Sequence, residues 1–258
     1  MSDAPRVALV AGAGRGIGRA VCRRLSDDGC TVVAAARTLD ELDRLRAELE
    51  GEGRAVSCHE FDIADAASVE ALVARTAAEH GRIDVMVNSA GTSYVAPVAL
   101  ADLERCRHVL DVNLMGAFTL SRATVRRMIR RKAGRIVHVG SISGSIGAPY
   151  NAIYAASKAG VAGLVRSLAL EVAPLGITVN AVQPGTVHTE LFEATHGARA
   201  RLKGITLEEQ ERQMEAENPT GRLVRAEEVA DAVAYLASEG AASVNGHLLD
   251  VDGGRSIA

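Results

Sequence analysis

Three residues of complementary chemistry crowd the stretch GRIVHVGSISGSIGAPYNAIYAASKAG, residues 134–160: Ser141, Tyr154 and Lys158. Tyr154 and Lys158 are four residues apart within 151–173, where alanines and leucines recur at helical spacing, so both side chains leave one helix face a turn apart. A neighbouring ammonium favours phenolate. A phenol that ordinarily titrates near pH ~10 can then exchange a proton with a substrate oxygen closer to neutrality. Ser141 follows the apolar run 136–139, which reads as a buried strand delivering the hydroxyl to the same place. Lys132, Lys158 and Lys203 are the only lysines, since arginine is used almost everywhere else a cation is wanted. A compact ammonium kept at position 158 suits the tuning of a nearby acid. The three groups are expected to converge on one substrate oxygen.

Such a trio needs a scaffold that brings distant segments to one edge. The run 7–11 is apolar and closes at Gly12, and a helical pattern starts near Gly16 and continues through Ile17, Ala20, Val21 and Leu25. Glycines at 12, 14, 16 and 18 allow a pyrophosphate to approach backbone amides at the positive end of that helix. A second strand, 31–36, follows, as a dinucleotide-binding unit requires. Helical patterns over 39–50 and 66–80 then alternate with extended ones over 55–61 and 83–87. A long helical region, 101–132, precedes the strand 136–139, and 178–182 and 247–251 read as further strands with a helix at 226–238 before the last. This rhythm predicts an α/β chain: one domain over residues 1–258, with a doubly wound parallel sheet of about seven strands and helices on both faces. Gly12, Asn88, Ser141 and Pro184 all fall at the carboxyl ends of strands, where such sheets bind ligands. The segment 185–225 breaks the rhythm, has no clear strand and carries a polar helical stretch at 206–217; it reads as a loosely held lid.

The second strand ends Ala34-Ala35-Ala36-Arg37. In dinucleotide sites an acidic residue at this region binds the adenosine ribose hydroxyls, whereas arginine accepts a 2′-phosphate. Ala36 supplies no carboxylate, while Arg37 and Arg15 offer two guanidinium forks. NADP(H) is expected over NAD(H), with reduction as the main direction. Other classes find little support. The 258 residues carry a net charge of -3, and the cluster Arg126, Arg127, Arg130, Arg131, Lys132 and Arg135 reads as a solvated helix end rather than a nucleic-acid surface. No apolar run approaches ~18 residues, so neither a membrane span nor a signal peptide is expected. Cys22, Cys30, Cys58 and Cys106 lack disulfide or metal spacing, and the seven histidines are scattered, so a metal-free protein of the cytoplasm is anticipated.

Taken together, these motifs resemble the short-chain dehydrogenase/reductase family over essentially the whole chain. The resemblance maps the family's glycine turn onto Gly12, Gly16 and Gly18, with Ile17 and Arg15 between, and its adenine-side pair onto Asp62 and Ile63. Its Asn-Asn-Ala-Gly run appears as Asn88-Ser89-Ala90-Gly91, with serine at the second place. Asn113 matches the helix asparagine that holds a water joining the lysine to a proton relay; Pro184, Gly185, Val187 and Thr189 match the segment beside the nicotinamide. The family's catalytic serine lies thirteen residues before the tyrosine, which selects Ser141, and the resemblance makes Tyr94, Ser143, Pro149, Tyr150, His188, Leu191 and Phe192 a substrate wall. It implies hydride exchange between nicotinamide and a carbonyl, with Tyr154 as general acid/base, Lys158 lowering the phenol's pKa and holding the nicotinamide ribose, and a homotetramer as the assembly. Similarity to reductases that act on ketoacyl groups of carrier proteins implies a thioester-bound or polyketide substrate. Lys132 suits that reading, whereas Leu175 stands where an arginine is often found. An NAD-dependent dehydrogenase of a small or cyclic alcohol is the alternative. A non-catalytic nucleotide sensor would be expected to lose part of the trio, which is complete here.

Overall fold

A computed structural model describes residues 4–258. Seven strands, β1 (Val7–Ala11), β2 (Thr31–Ala36), β3 (Val56–Glu60), β4 (Val85–Asn88), β5 (Gly134–Val139), β6 (Ile177–Pro184) and β7 (Leu248–Val251), form one sheet in the order β3-β2-β1-β4-β5-β6-β7. Every pairing is parallel. All five residues of β1 and all eight of β6 are buried, as continuous apolar strands are when helices cover both faces of a sheet. Side chains alternate between the two faces. Ala8 and Val10 join a core with Leu25 of α1 (Gly16–Asp27), Leu45 of α2 (Leu39–Gly51) and, near the C-terminus, Val233 of the helix 226–237. Val7, Leu9 and Ala11 join the other core with Leu72 of α3 (Ala66–His80), and with Leu120 and Val165 from helices that follow β4 and β5. The chain order reverses between β1 and β4, which opens a crevice at their carboxyl ends.

Two segments depart from the expectation of the sequence. The long helical region runs unbroken over 103–128 but is not uniformly α: α4 (Leu103–Leu110), capped by the Asp102 carboxylate on the amides of Glu104 and Arg105, passes through one π-helical turn, Asp111–Met115, into α5 (Gly116–Met128). That turn draws Asn113 into the interior, and Gly116 then fits closely against Ile63, whose Cγ1 a Cβ would meet at 2.7 Å. α6 (Ala152–Val172) follows as predicted.

The segment 185–225 is better ordered than its polarity suggested. It holds α7 (Glu190–Lys203) and α8 (Leu207–Ala216), a helical hairpin with its own small core of Phe192, Met214 and Leu223, against which Leu207 packs. Thr189 caps α7 through the Phe192 amide, Gly204 closes it at φ 69°, and Thr206 with Glu209 forms a reciprocal capping box on α8. The chain then enters α9 (Ala226–Ala237). Among the described residues no helix is long and apolar enough to cross a membrane.

Candidate active site

The crevice at the strand ends runs from the glycine turn to the α7–α8 hairpin. At its first end β1 leaves the sheet through Gly12, held by its amide on the Ala35 carbonyl at 2.8 Å. Gly12 has φ 78°, and a Cβ there would lie 2.5 Å from the Ala90 nitrogen. Gly18 lies beneath the floor; a side chain there would collide with the Gly12 carbonyl, so its part is close helix–strand packing. α1 starts without a side-chain cap, which leaves its first amides free to receive an anion. Arg15, Gly16 and Ile17 line the crevice at this point, and Ala90, Gly91, Asp62 and Ile63 border it. Asn88 lies buried just below, its Oδ1 accepting from the Ala90 amide at 3.1 Å, and Asp62 accepts from the Ala64 amide at 2.9 Å.

At the carboxyl end of β2 Ala36 and Arg37 line the crevice, as does a carboxylate that the reading of β2 alone did not anticipate. Glu41, in the first turn of α2, reaches back to Arg15 with its Oε1 3.7 Å from Nη1. The two arginines therefore do not stand alone.

At the opposite end Ser141, Tyr154 and Lys158 line one opening. Ser141 lies beside the Tyr154 phenol and favours its ionised form, and its Oγ accepts from the Ser143 amide at 3.1 Å. Lys158 donates from Nζ to the Val139 carbonyl at 2.9 Å and lies 5.7 Å from the centre of the Tyr154 ring. Burial pushes the Tyr154 phenol upward, against the effect of Ser141. The expected lowering of the phenol by lysine is not found: Lys158 Nζ is turned to the Val139 carbonyl, and burial pulls the ammonium itself down to about 8. Behind it, burial and the Lys158 charge hold His138 near 4, so that histidine is neutral, with its Nε2 3.0 Å from Ser121 Oγ.

Asn113 does not border the crevice. Its Nδ2 donates to the Thr92 carbonyl and to Ser157 Oγ, each at 2.9 Å, while its Oδ1 accepts from the Thr92 amide at 2.8 Å. Ser157 in turn donates to the Tyr154 carbonyl at 2.7 Å. One amide thus ties the loop after β4 to the first turns of α6.

Of the predicted substrate wall, Ser143, Leu191 and Phe192 border the crevice, as do Pro184, Gly185, Val187 and Thr189 after β6. Four other residues lie elsewhere. The Tyr94 hydroxyl accepts from the Asp102 amide at 3.0 Å and its ring lies under Arg105, so it braces α4. Tyr150 adopts a left-handed φ of 64° and is partly exposed beside exposed Pro149; His188 faces Glu211 at 3.8 Å, with its ring 5.2 Å from that of Phe192 between centroids. In their place the crevice is bordered by Ile142, Ile146, Asn151, His196, Arg199 and Arg255. The inward turn of α7 could not be read from the sequence because its inner face mixes Phe192 and Ala200 with Arg199.

A dinucleotide cradle that shares one crevice with a Ser–Tyr–Lys group defines a nicotinamide-dependent oxidoreductase acting on a carbonyl or its alcohol. Residues 6–199 match the short chain dehydrogenase family, and the chain belongs to that family. Within it, the chain is 36% identical over 249 residues to the 3-oxoacyl-[acyl-carrier-protein] reductase of Escherichia coli K12, covering 96% of each. It is 40% identical over 252 residues to the cis-4-hydroxycyclohexanecarboxylate dehydrogenase of Sinomonas cyclohexanicum, covering 97% of this chain and 96% of that one. The crystal structure of a variant actinorhodin polyketide ketoreductase with NADPH superposes with a TM-score of 0.95 at 37% identity, covering 98% of each. These relatives place it among the ketoreductase-like members.

Proposed function

We propose that the protein is an NADP(H)-dependent ketoreductase that interconverts a ketone and a secondary alcohol. The observation that carries this reading is the single crevice in which Ser141, Tyr154 and Lys158 face the same space as Arg15, Arg37 and the uncapped start of α1. The glycine turn suits a dinucleotide, because Gly12 and Gly16 both have positive φ and Gly12 packs against the Ala90 backbone, a close approach that no side chain would allow. Gly12, Arg15, Gly16 and Ile17 would hold the pyrophosphate. Asp62, Ile63, Asn88, Ala90 and Gly91 would shape the adenosine side, and Pro184, Gly185, Val187 and Thr189 the nicotinamide side. When bound, the nicotinamide supplies or accepts hydride at the substrate carbon. Tyr154 gives its proton to the oxygen on which negative charge develops, and Ser141 donates a hydrogen bond to that oxygen. Lys158, held at the mouth of β5 by the Val139 carbonyl, stabilises the phenolate left behind and binds the ribose hydroxyls. Asn113 keeps Tyr154 and Lys158 in register through Ser157 and Thr92.

The NADP(H) preference rests on Ala36 and Arg37, with Arg15 partly engaged by Glu41. Steady-state kinetics with both reduced cofactors test it: higher kcat/KM with NADPH is expected, and Ala36→Asp should swing the preference toward NADH. Higher efficiency of the wild type with NADH would overturn the reading. The alternative is an NAD-dependent dehydrogenase of a cyclic hydroxy compound; the Glu41 carboxylate in the crevice and the hydroxycyclohexanecarboxylate relative favour it. A ketoacyl thioester presented by a carrier protein remains the substrate suggested by the E. coli relative.

Residues 185–225 serve in this reading as a lid whose α7 face closes on the substrate. Exposed apolar residues on α4, α5 and α6, among them Leu103 (65% exposed), Phe118 and Leu170 (80%), support assembly through these helices, with a homotetramer as the proposed state. A monomeric mass by light scattering would remove that proposal.

A further inference from the structure

The substrate end of the crevice holds more positive charge than reduction of a neutral ketone requires. α7 turns one face inward, so that Leu191, Phe192, Thr195, His196 and Arg199 border the crevice in succession. Arg255 enters from the turn after β7; its Nη1 donates to Thr186 Oγ1 at 3.1 Å and its Nη2 to the Glu217 carboxylate. Arg199 is different. It is only 8% exposed, and its Nε has no hydrogen-bond partner among the described residues. Glu217 is the acidic group that favours its charge, yet that carboxylate is already bonded to Arg255. Burial and the neighbouring Arg255 both push the Arg199 guanidinium downward.

The remaining neighbour does not relieve this charge. His196, held near 4 by burial and by the cations around it, is neutral, and its ring stacks on Phe192 at 4.4 Å between centroids. Its Nδ1 also lacks a partner among the described residues. The cofactor phosphates belong to the other end: a Cβ on Gly16 would meet Thr189 Cγ2 at 3.1 Å, so α7 begins beside the glycine turn. Arg199 lies nine residues after Glu190 on that helix, about 13 Å farther along its axis. A buried cation without a counter-ion is costly, and a carboxylate offered to a guanidinium fork removes that cost with two parallel hydrogen bonds.

We propose that Arg199, with Arg255 beside it, receives a free carboxylate of the substrate, so that the compound reduced is a keto acid rather than a neutral or thioester-masked ketone. This deepens the ketoreductase reading of the same crevice and rests on it. Arg199 becomes the residue that selects the substrate, and Arg255 the one that leaves Arg199 free by occupying Glu217.

The test compares 4-oxocyclohexanecarboxylate with its methyl ester and with cyclohexanone, using the wild type and the Arg199→Met and Arg199→Lys variants. A charged hydrogen bond of this kind is worth about 10- to 100-fold in kcat/KM. The wild type is expected to prefer the acid over the ester by that factor, the ratio should fall toward one in Arg199→Met, and Arg199→Lys should restore part of it. Calorimetry of the unreactive cyclohexanecarboxylate with the NADPH complex gives a second readout, with binding expected in the wild type and lost in Arg199→Met. Equal reduction of acid and ester by the wild type would overturn the carboxylate site and leave the reductase reading intact. If no ketone is reduced, the reductase reading fails, and calorimetry still decides the site: absence of cyclohexanecarboxylate binding overturns it.

Discussion

On the sheet side of the crevice β1 buries all five of its residues, and the glycine turn presses backbone onto backbone. On the hairpin side α7 buries only Phe192, Arg199 and Ala200 of its fourteen, and the local core is three side chains deep. Among the described residues unpartnered buried polar atoms occur on both sides, with His138 and Thr178 in the sheet and His196, Arg199 and both polar atoms of Gln210 in the hairpin. Stability and specificity are thereby assigned to different walls. The sheet wall cannot change without cost to the whole domain, whereas the hairpin is held by few contacts and can present new side chains cheaply.

The largest effect that would sharpen this contrast is chemical. Tyr154→Phe removes the proton donor and keeps the ring, so kcat should fall by about 10³-fold or more while NADPH affinity, measured by fluorescence titration, stays within about twofold. Near wild-type turnover would mean that the sheet wall does not carry the proton transfer. A stability comparison comes next. Leu9→Ala should destabilise the domain by about 2–5 kcal/mol in denaturant melts, because Leu9 is fully buried at the centre of the sheet. Phe192→Ala should instead speed amide exchange within residues 190–216 and leave exchange in β1 and β5 unchanged. Equal loss of global stability in both variants would break the division between the walls.

Much of the sheet wall was legible beforehand. Apolar runs closed by glycine placed β1, and the alternation of strand and helix patterns gave the seven-stranded sheet. The helical spacing of Tyr154 and Lys158 and the place of Ser141 at the end of an apolar run point to the one opening that all three line. The π turn was not legible, since Asp-Val-Asn-Leu-Met has an ordinary helical composition and only the burial of Asn113 makes the extra residue necessary. Only the family resemblance puts Tyr150 on the wall, and its left-handed backbone, rare for a tyrosine, has no signature in the sequence. Arg199 and Arg255 escaped notice because a charge on a polar helix or near a chain end is ordinarily a surface charge.

Acid–base behaviour offers a subtler contrast. Lys158 has its pKa lowered to about 8 by burial, below the value near 10.5 of an exposed lysine, so the folded state disfavours its charged form. Between those two values the unfolded chain binds the extra proton, and stability contributed by this site rises with pH from about 8 to 10.5. Relative to Lys158→Met, the cofactor-free wild type should gain about 2–3 kcal/mol across that window in denaturant melts. A flat difference would show that the ammonium is well solvated and that the sheet wall is less dry than its burial indicates. The smallest expected effect lies at the adenosine end. Glu41→Gln frees Arg15 and should raise the NADPH-over-NADH ratio by about two- to fivefold, the size of a partly exposed ion pair. A fall in that ratio would give Glu41 a direct role in ribose binding.

The π turn at Asp111–Met115 also bears on how this chain tolerates changes in its length. Such a turn is an α-helix carrying one surplus residue, so removing one would restore a regular helix and satisfy local geometry. The restored helix would rotate α4 against α5 by about 100° and pull Asn113 out of its hold on Thr92 and Ser157. A single deletion here should therefore abolish activity even as it smooths the backbone. A related chain that had lost the arrangement would betray it by a one-residue gap in alignment, at a place where every substituted side chain still looks helical.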